Sequence, residues 1–141
     1  MIHLVSRSNI EDFDLMVKGL ERPLTKTSLG EYWTLSALYD GMVNQNVFGF
    51  YQEESQYSGA FNITTTPLRR CLSIFWAGKD PDNDTPIDIA ECDAFFDACA
   101  KTFQCDVIMV KGRKGWGHWG TPHGYVEDSR VFTKEVSHEL P

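Results

Sequence analysis

Between Cys105 and Tyr125 the chain reads CDVIMVKGRKGWGHWGTPHGY, and the residue types change abruptly along it. An apolar run, 107–110, is followed by Lys111, Arg113 and Lys114 among glycines, then by Trp116, His118, Trp119, His123 and Tyr125. Cations and indole rings on a glycine-rich loop after a buried strand suit ligand contact, because the loop carries the contacts while the strand fixes their position. The same residues also suit a plainer role, with tryptophans closing the end of a core and lysines in solvent. The residue types alone leave both readings open.

A second cluster is acidic. Asp80, Asp82, Asp84, Asp88 and Glu91 fall at positions 1, 3, 5, 9 and 12 of an EF-hand-like calcium loop. Thr85 stands where that loop needs glycine at position 6, and a strand precedes it, so a solvated acidic turn with Thr85 capping the next helix is the simpler reading. The four cysteines, Cys71, Cys92, Cys99 and Cys105, form no CxxC pair. Cys92 and Cys99 would sit roughly 10 Å apart along a helix, beyond disulfide reach, so free buried thiols are expected. Cys105, His118 and His123 match no zinc spacing, and no metal is expected.

At 141 residues the chain suits one domain, 1–141, able to bury its own core. A net charge of -7 argues against general nucleic-acid binding, which rests on many Lys and Arg contacts to phosphate. Local basicity at Arg69, Arg70 and 111–114 still admits an anionic small ligand. No leader-like or membrane-spanning apolar run is present in the sequence, so a soluble, cytoplasmic protein is expected.

These residues need positioning elements. A short strand is expected at 2–5, then a helix over 9–20 opened by the capping box Ser8–Glu11 and ended by Pro23. A second box, Ser28–Glu31, predicts another helix carrying Leu35, Leu38, Tyr39 and Met42. From 46 the period changes, and three antiparallel strands are expected within 47–51, 57–66 and 71–77, with Gly59 marking a bulge. Thr85 and Pro86 then open a helix to about 104 whose buried face is Cys92, Phe96, Cys99 and Phe103. The run 105–110 reads as a parallel strand buried on both faces. One helical turn is expected around 116–119, and 130–136 alternates as a final strand.

Strand, two helices, three antiparallel strands, helix, strand, short irregular segment and strand is an order that resembles the GNAT acyltransferase fold over nearly the whole chain. The sharpest part is 105–136, where Gly124 and Tyr125 take the place of the family's Gly-Phe. The Gly-Arg-x-Gly-Trp run at 112–116 is similar to small bacteriophage-encoded GNAT-like proteins. The resemblance implies an α+β fold with a mixed, mostly antiparallel twisted sheet of six to seven strands and three to four helices on both faces. It implies N-acyl transfer from acetyl-coenzyme A, held near Trp76, Ala77 and Gly78 and by Lys111, Arg113, Lys114 and Trp116. Tyr125 and His118 are the implied catalytic groups, beside His123, and Glu53 or Glu54 would serve as base if they face the cleft.

The chain departs from the family at the phosphate site. In place of a Gln/Arg-x-x-Gly-x-Gly/Ala loop, 78–85 holds three aspartates and no second glycine. Two like charges 4 Å apart cost about 4 kcal/mol at an effective dielectric of 20, so these carboxylates oppose a polyanion. The alternative implied is an inactive fold kept as a virion or tail-associated protein, with Trp116 and Trp119 as anchors on a protein partner.

Overall fold

The computed structural model describes residues 1–111, 117–128 and 131–138. Strand β1 (Ile2–Val5) leads through a 3-10 turn, Arg7–Asp12, into α1 (Phe13–Lys26). Helix α2 (Leu35–Val43) follows, then β2 (Phe48–Gln52), β3 (Tyr57–Thr65), β4 (Arg70–Lys79), α3 (Ile89–Thr102), β5 (Val107–Val110) and the single turn α4 (Gly117–Gly120). One sheet runs in the order β1-β2-β3-β4-β5. Its first four strands are antiparallel neighbours and β5 joins β4 in parallel.

Each face of the sheet carries its own core. Helices α1 and α2 bury Phe13, Met16, Leu20, Leu38 and Met42 against Val5, Tyr51, Ala60 and Trp76. Helix α3 buries Cys92, Phe96, Cys99 and Ala100 on the other face, against Phe50, Phe61, Leu72 and Ile74. The i, i+4, i+7 stripe expected of α3 is therefore its buried face.

Several local expectations are corrected. The sheet has five strands among the described residues, not six or seven, and 131–138 forms no strand. Pro23 lies inside α1 and is buried there, where its ring packs close to Gly78. The Ser28–Glu31 box forms a 3-10 turn, and α2 is capped by Thr34, whose hydroxyl accepts from the Ala37 N–H at 3.0 Å. Asp88, not Thr85, caps α3, accepting from the Glu91 N–H at 3.0 Å. Strand β5 is not buried on both faces: Met109 is exposed and its neighbours are half-buried.

The bulge lies on β4 rather than at Gly59. Ala60 faces Trp76 and Phe61 faces Ile74, which leaves Phe75 as the extra residue. Gly59 has a different duty, since a Cβ there would run into the Trp76 carbonyl and the Phe50 ring.

All four cysteines are free. Burial, aided by Glu91 and Asp88, pushes the Cys92 thiol up to about 12, and burial pushes Cys99 up to about 11. An unfolded thiol loses its proton near pH 9, so between pH 9 and these values the folded chain holds more protons than the unfolded one. Stability then falls as pH rises, by up to about 1.4 kcal/mol per pH unit per thiol. A urea midpoint that drops between pH 8 and pH 10.5, and drops less in Cys92→Ala, is the expected result.

Candidate functional site

The bulge shapes the site. Because Phe75 is inserted, Phe75 and Trp76 both pack toward the α1–α2 core, while Ile74 before them belongs to the α3 core. The parallel pairing with β5 ends at Ile74 and Val110, and the Lys111 N–H donates to the Ile74 carbonyl at 3.1 Å. Strand β4 continues to Lys79 without β5 beside it. A cleft lies where β4 runs on past the end of β5, and it continues as a groove along β5, about 3000 Å³ in all. Its lining includes Trp33, Phe75, Ala77, Lys111, Trp119 and Tyr125.

The expected site residues are distributed unevenly around this cleft. Ala77 is exposed at its wall. Trp76 is 1 % exposed, with its indole N–H donating to the Leu20 carbonyl at 3.0 Å, so its ring belongs to the core. Gly78 is packed from one side by α1: a Cβ there would meet the Gly19 carbonyl and the Pro23 ring. Lys111 is exposed at the rim. Arg113, Lys114 and Trp116 lie outside the described residues.

Tyr125 lines the cleft and is half-buried. Burial first, then Asp93 and Asp97, push its hydroxyl well above the ordinary tyrosine range. His123 Nδ1 is 3.5 Å from the Asp93 carboxylate, so Asp93 gathers both residues of the C-terminal segment onto α3. His118 is exposed on α4 and is not among the lining residues. Glu53 and Glu54 are exposed at the β2–β3 turn, Glu53 3.0 Å from His3 Nε2 and Glu54 against the Met1 amine, and neither lines the cleft. Arg70 sits at the opposite end of β4, where its Nε donates to the Phe103 carbonyl at 2.8 Å.

The acidic loop between β4 and α3 is knitted to itself. The Asp80 carboxylate accepts from the Asp82 N–H at 2.9 Å, and the Asp80 carbonyl accepts from Asn83 at 3.2 Å. Asn83 Oδ1 accepts from the Thr85 N–H at 2.8 Å, while its amide donates to Gln56 Oε1 at 2.8 Å and the Glu54 carbonyl at 3.1 Å. Pro81 and Pro86 have no N–H at all. Among the described residues no group of three or more His, Cys, Asp or Glu side chains is placed to hold a metal ion.

Gln52 completes this closure and was not visible in the sequence as a site residue. It is 1 % exposed. Its Oε1 accepts from the Asp88 N–H at 3.1 Å and the Ser55 hydroxyl at 2.6 Å, and its Nε2 donates to the Asp88 carbonyl at 3.1 Å and Glu91 Oε1 at 3.2 Å. Gln52→Leu would leave several buried polar groups unpaired at the start of α3, a loss of about 2–3 kcal/mol. The expected readout is a lowered melting temperature together with faster amide exchange at 88–92.

No protein-family model matches the sequence, and no curated protein sequence matches it. Solved structures do match. An aminoglycoside acetyltransferase from an uncultured soil metagenomic sample superimposes with a TM-score of 0.72 at 10% identity, covering 97% of this chain and 98% of its own. A predicted acetyltransferase of Clostridium acetobutylicum, solved with acetyl-CoA, gives 0.65 at 14% identity over 99% and 100% of the two chains. A GNAT family acetyltransferase of Staphylococcus aureus gives 0.63 at 13% identity over 96% and 98%.

The chain has the GNAT acetyltransferase fold. On this GNAT-fold chain the loop before α3 has its amides at 82, 83, 85, 88 and 91 already paired within the protein. A helix N-terminus attracts phosphate through unpaired N–H groups and its dipole. Here Asp80, Asn83, Gln52 and Asp88 accept from the amides at 82, 83, 85, 88 and 91, and Asp82 and Asp84 stand exposed beside them. The loop beside the cleft thus carries both acidic side chains and several amides already paired within the protein.

Proposed function

We propose that the chain is an acyltransferase-like protein that takes the pantetheine arm of an acyl-coenzyme A into the cleft between β4 and β5 and passes the acyl group to an amine. The observation that carries this reading is the cleft beside β4 where its pairing with β5 ends, next to the Phe75 bulge. In such a reaction the amine nitrogen attacks the thioester carbonyl, the C–S bond breaks, and the thiolate leaves with its electron pair and takes up a proton. Tyr125 stands on the cleft wall with its hydroxyl held protonated by burial and by the Asp93 and Asp97 carboxylates, and would have to turn from Asp93 to donate to the ligand. Its raised affinity for the proton makes it a weak acid toward a thiolate of ordinary basicity. His118, exposed on α4, plays the lesser part.

With several loop amides already paired, the diphosphate is held in this reading by Lys111 at the rim, and the call extends to Arg113, Lys114 and Trp116, which lie outside the described residues. Calorimetry and thermal shift with acetyl-coenzyme A test the proposal. Heat of binding and a raised melting temperature are expected at millimolar ligand; the absence of both overturns the proposal.

The closed loop favours a second reading, in which the fold serves as an interaction module in a phage particle. Trp119 is 51% exposed on α4, and it and Trp116 would anchor a protein partner. Copurification with particles of the encoding phage supports that reading. A free protein confined to the host cytoplasm and absent from particles counts against it.

A further inference from the structure

The cleft takes its walls from both faces of the sheet. On the α3 side its lining includes Asp93, Asp97 and Tyr125, and on the α1–α2 side Arg22, Leu29, Tyr32, Trp33 and Phe75. A pantetheine arm that passes Ala77 and Tyr125 leaves the α1–α2 wall to the second substrate.

That wall has its own chemistry. Trp33 is half-buried with its ring stacked on Phe75 at 5.0 Å, and Tyr32 beside it in sequence is 65% exposed. Aromatic faces on a cavity wall hold flat apolar groups by stacking. Among the described residues the charged lining group of this wall is Arg22, exposed on α1 and in no ion pair. Glu31, in the connection that carries Tyr32, is not a lining residue. The carboxylates that line the cleft, Asp93, Asp97, Asp106, Glu127 and Asp128, belong to α3, the turn before β5 and the C-terminal segment. On its other side Arg22 lines a smaller cavity, where Lys18 and Lys26 stand one turn away in each direction and Glu21, Asp80 and Asp82 face them. That cavity holds as many carboxylates as cations, and the guanidinium is the group that also reaches the cleft.

We infer that the acceptor, given the acyl transfer proposed above on which this rests, is an aromatic amine bearing a carboxylate, the chemical class of an aromatic amino acid. Its ring lies on Tyr32 and Trp33, and its carboxylate on Arg22. A guanidinium offers a carboxylate two parallel N–H donors. A wall whose charge is positive also disfavours an ammonium, and an amine attacks only without that proton. The nitrogen attacks the thioester carbonyl, the C–S bond breaks, and the departing thiolate takes up the proton that the nitrogen sheds. An N-acyl amino acid and the free coenzyme thiol result. A polycationic acceptor meets the reverse, since among the described residues this wall has no carboxylate to hold it.

Transfer from acetyl-coenzyme A by the full chain, followed by release of the coenzyme thiol, tests the inference with phenylalanine, phenethylamine and kanamycin as acceptors. Phenethylamine is phenylalanine without its carboxylate. A kcat/KM for phenylalanine about 10-fold or more above that of either other amine is expected, the worth of one charge-assisted hydrogen-bonded pair. Arg22→Gln should erase the preference for phenylalanine over phenethylamine, and Tyr32→Ala should raise KM for both by about 5-fold. Both side chains are exposed, so neither change should move the melting temperature by more than a few degrees. Equal use of phenylalanine and phenethylamine, or faster use of kanamycin, overturns the inference and leaves acyl transfer standing. Binding of acetyl-coenzyme A with transfer to none of the three overturns it as well. Where acetyl-coenzyme A itself fails to bind, calorimetry with phenylalanine and phenethylamine on the protein alone decides. A preference for phenylalanine that Arg22→Gln removes supports the site while the transfer reading falls; equal or absent binding overturns both.

Discussion

Replacing Trp76 with alanine is expected to lower the stability of the chain by about 3–5 kcal/mol, the range for emptying a buried tryptophan site. Among the described residues Trp76 is the largest fully buried side chain, and it packs in the α1–α2 core with its indole N–H on the Leu20 carbonyl. Its surroundings have little freedom to collapse into the space. The Trp33 ring stacks on Phe75 at 5.0 Å and tilts against Trp76 at 6.3 Å, and the β4 backbone is held by β3 and covered by α1 at Gly78. A domain of this size is stable by about 5–15 kcal/mol, so the loss takes a large share. At a urea slope of about 2 kcal/mol/M, the midpoint should fall by roughly 2 M. Trp76→Phe keeps most of the volume and gives up the hydrogen bond, so about 1–2 kcal/mol is expected. A Trp76→Ala midpoint within about 0.5 M of the parent, at that same slope, would mean the ring is not the wedge between α1 and the sheet that its burial indicates.

That wedge was legible in the sequence only as an aromatic in a strand. What identifies its role is Phe75 before it. Successive strand residues normally alternate between faces, and the insertion of Phe75 as a bulge is what sends Phe75 and Trp76 to the same side. The residue types of this run do not announce the bulge, and Gly59 marked the wrong strand for it. Periodicity served well where one face is buried and one is wet: the α3 stripe, the antiparallel strands and the parallel return to β5 all follow from it. It misled at ends. Pro23 read as a stop, yet its ring packs close to Gly78 within α1, a tertiary contact that local propensity cannot see.

The polar part of the site was less legible for a different reason. Gln52 reads as the first polar residue of a turn, and its burial depends on α3 arriving above it from 36 residues later in the chain. Asp93 sits beside Cys92 on the helix, outside the apolar stripe, and acquires meaning only when His123 and Tyr125 fold back onto it. The acidic loop was legible in its charge but not in its hydrogen bonding. Asp80 was read as a solvated carboxylate, whereas it is 4% exposed and spends its oxygens on the loop's own N–H groups. The expected last strand failed for a plain physical reason: alternation suits a strand, but a strand also needs a hydrogen-bonded neighbour, and 131–138 forms no ladder.

Ala77→Trp is expected to lower affinity for acetyl-coenzyme A by at least about 100-fold, equivalent to about 2.7 kcal/mol, if the pantetheine arm uses the gap between the strands. Ala77 is the first residue after the bulge whose side chain turns away from the α1–α2 core, and it is exposed on the cleft wall opposite Lys111. An indole there fills the cleft without entering either core, so the melting temperature should stay within a few degrees of the parent while binding is lost. Asp82→Asn with Asp84→Asn supplies the contrast. In a site that gripped phosphate on the loop amides, removing two carboxylates would strengthen binding severalfold through relief of repulsion. Here the amides at 82, 83, 85, 88 and 91 are taken by Asp80, Asn83, Gln52 and Asp88, so the change should stay within about threefold, or roughly 0.6 kcal/mol. Calorimetry on the three proteins separates the cases. Binding by the parent that survives Ala77→Trp would put the ligand outside the cleft, and a marked gain in the asparagine variant would mean that the loop opens to phosphate after all. Loss in the first variant with little change in the second is the pattern of a GNAT cleft that has kept the thioester channel and given up the anion site at its mouth.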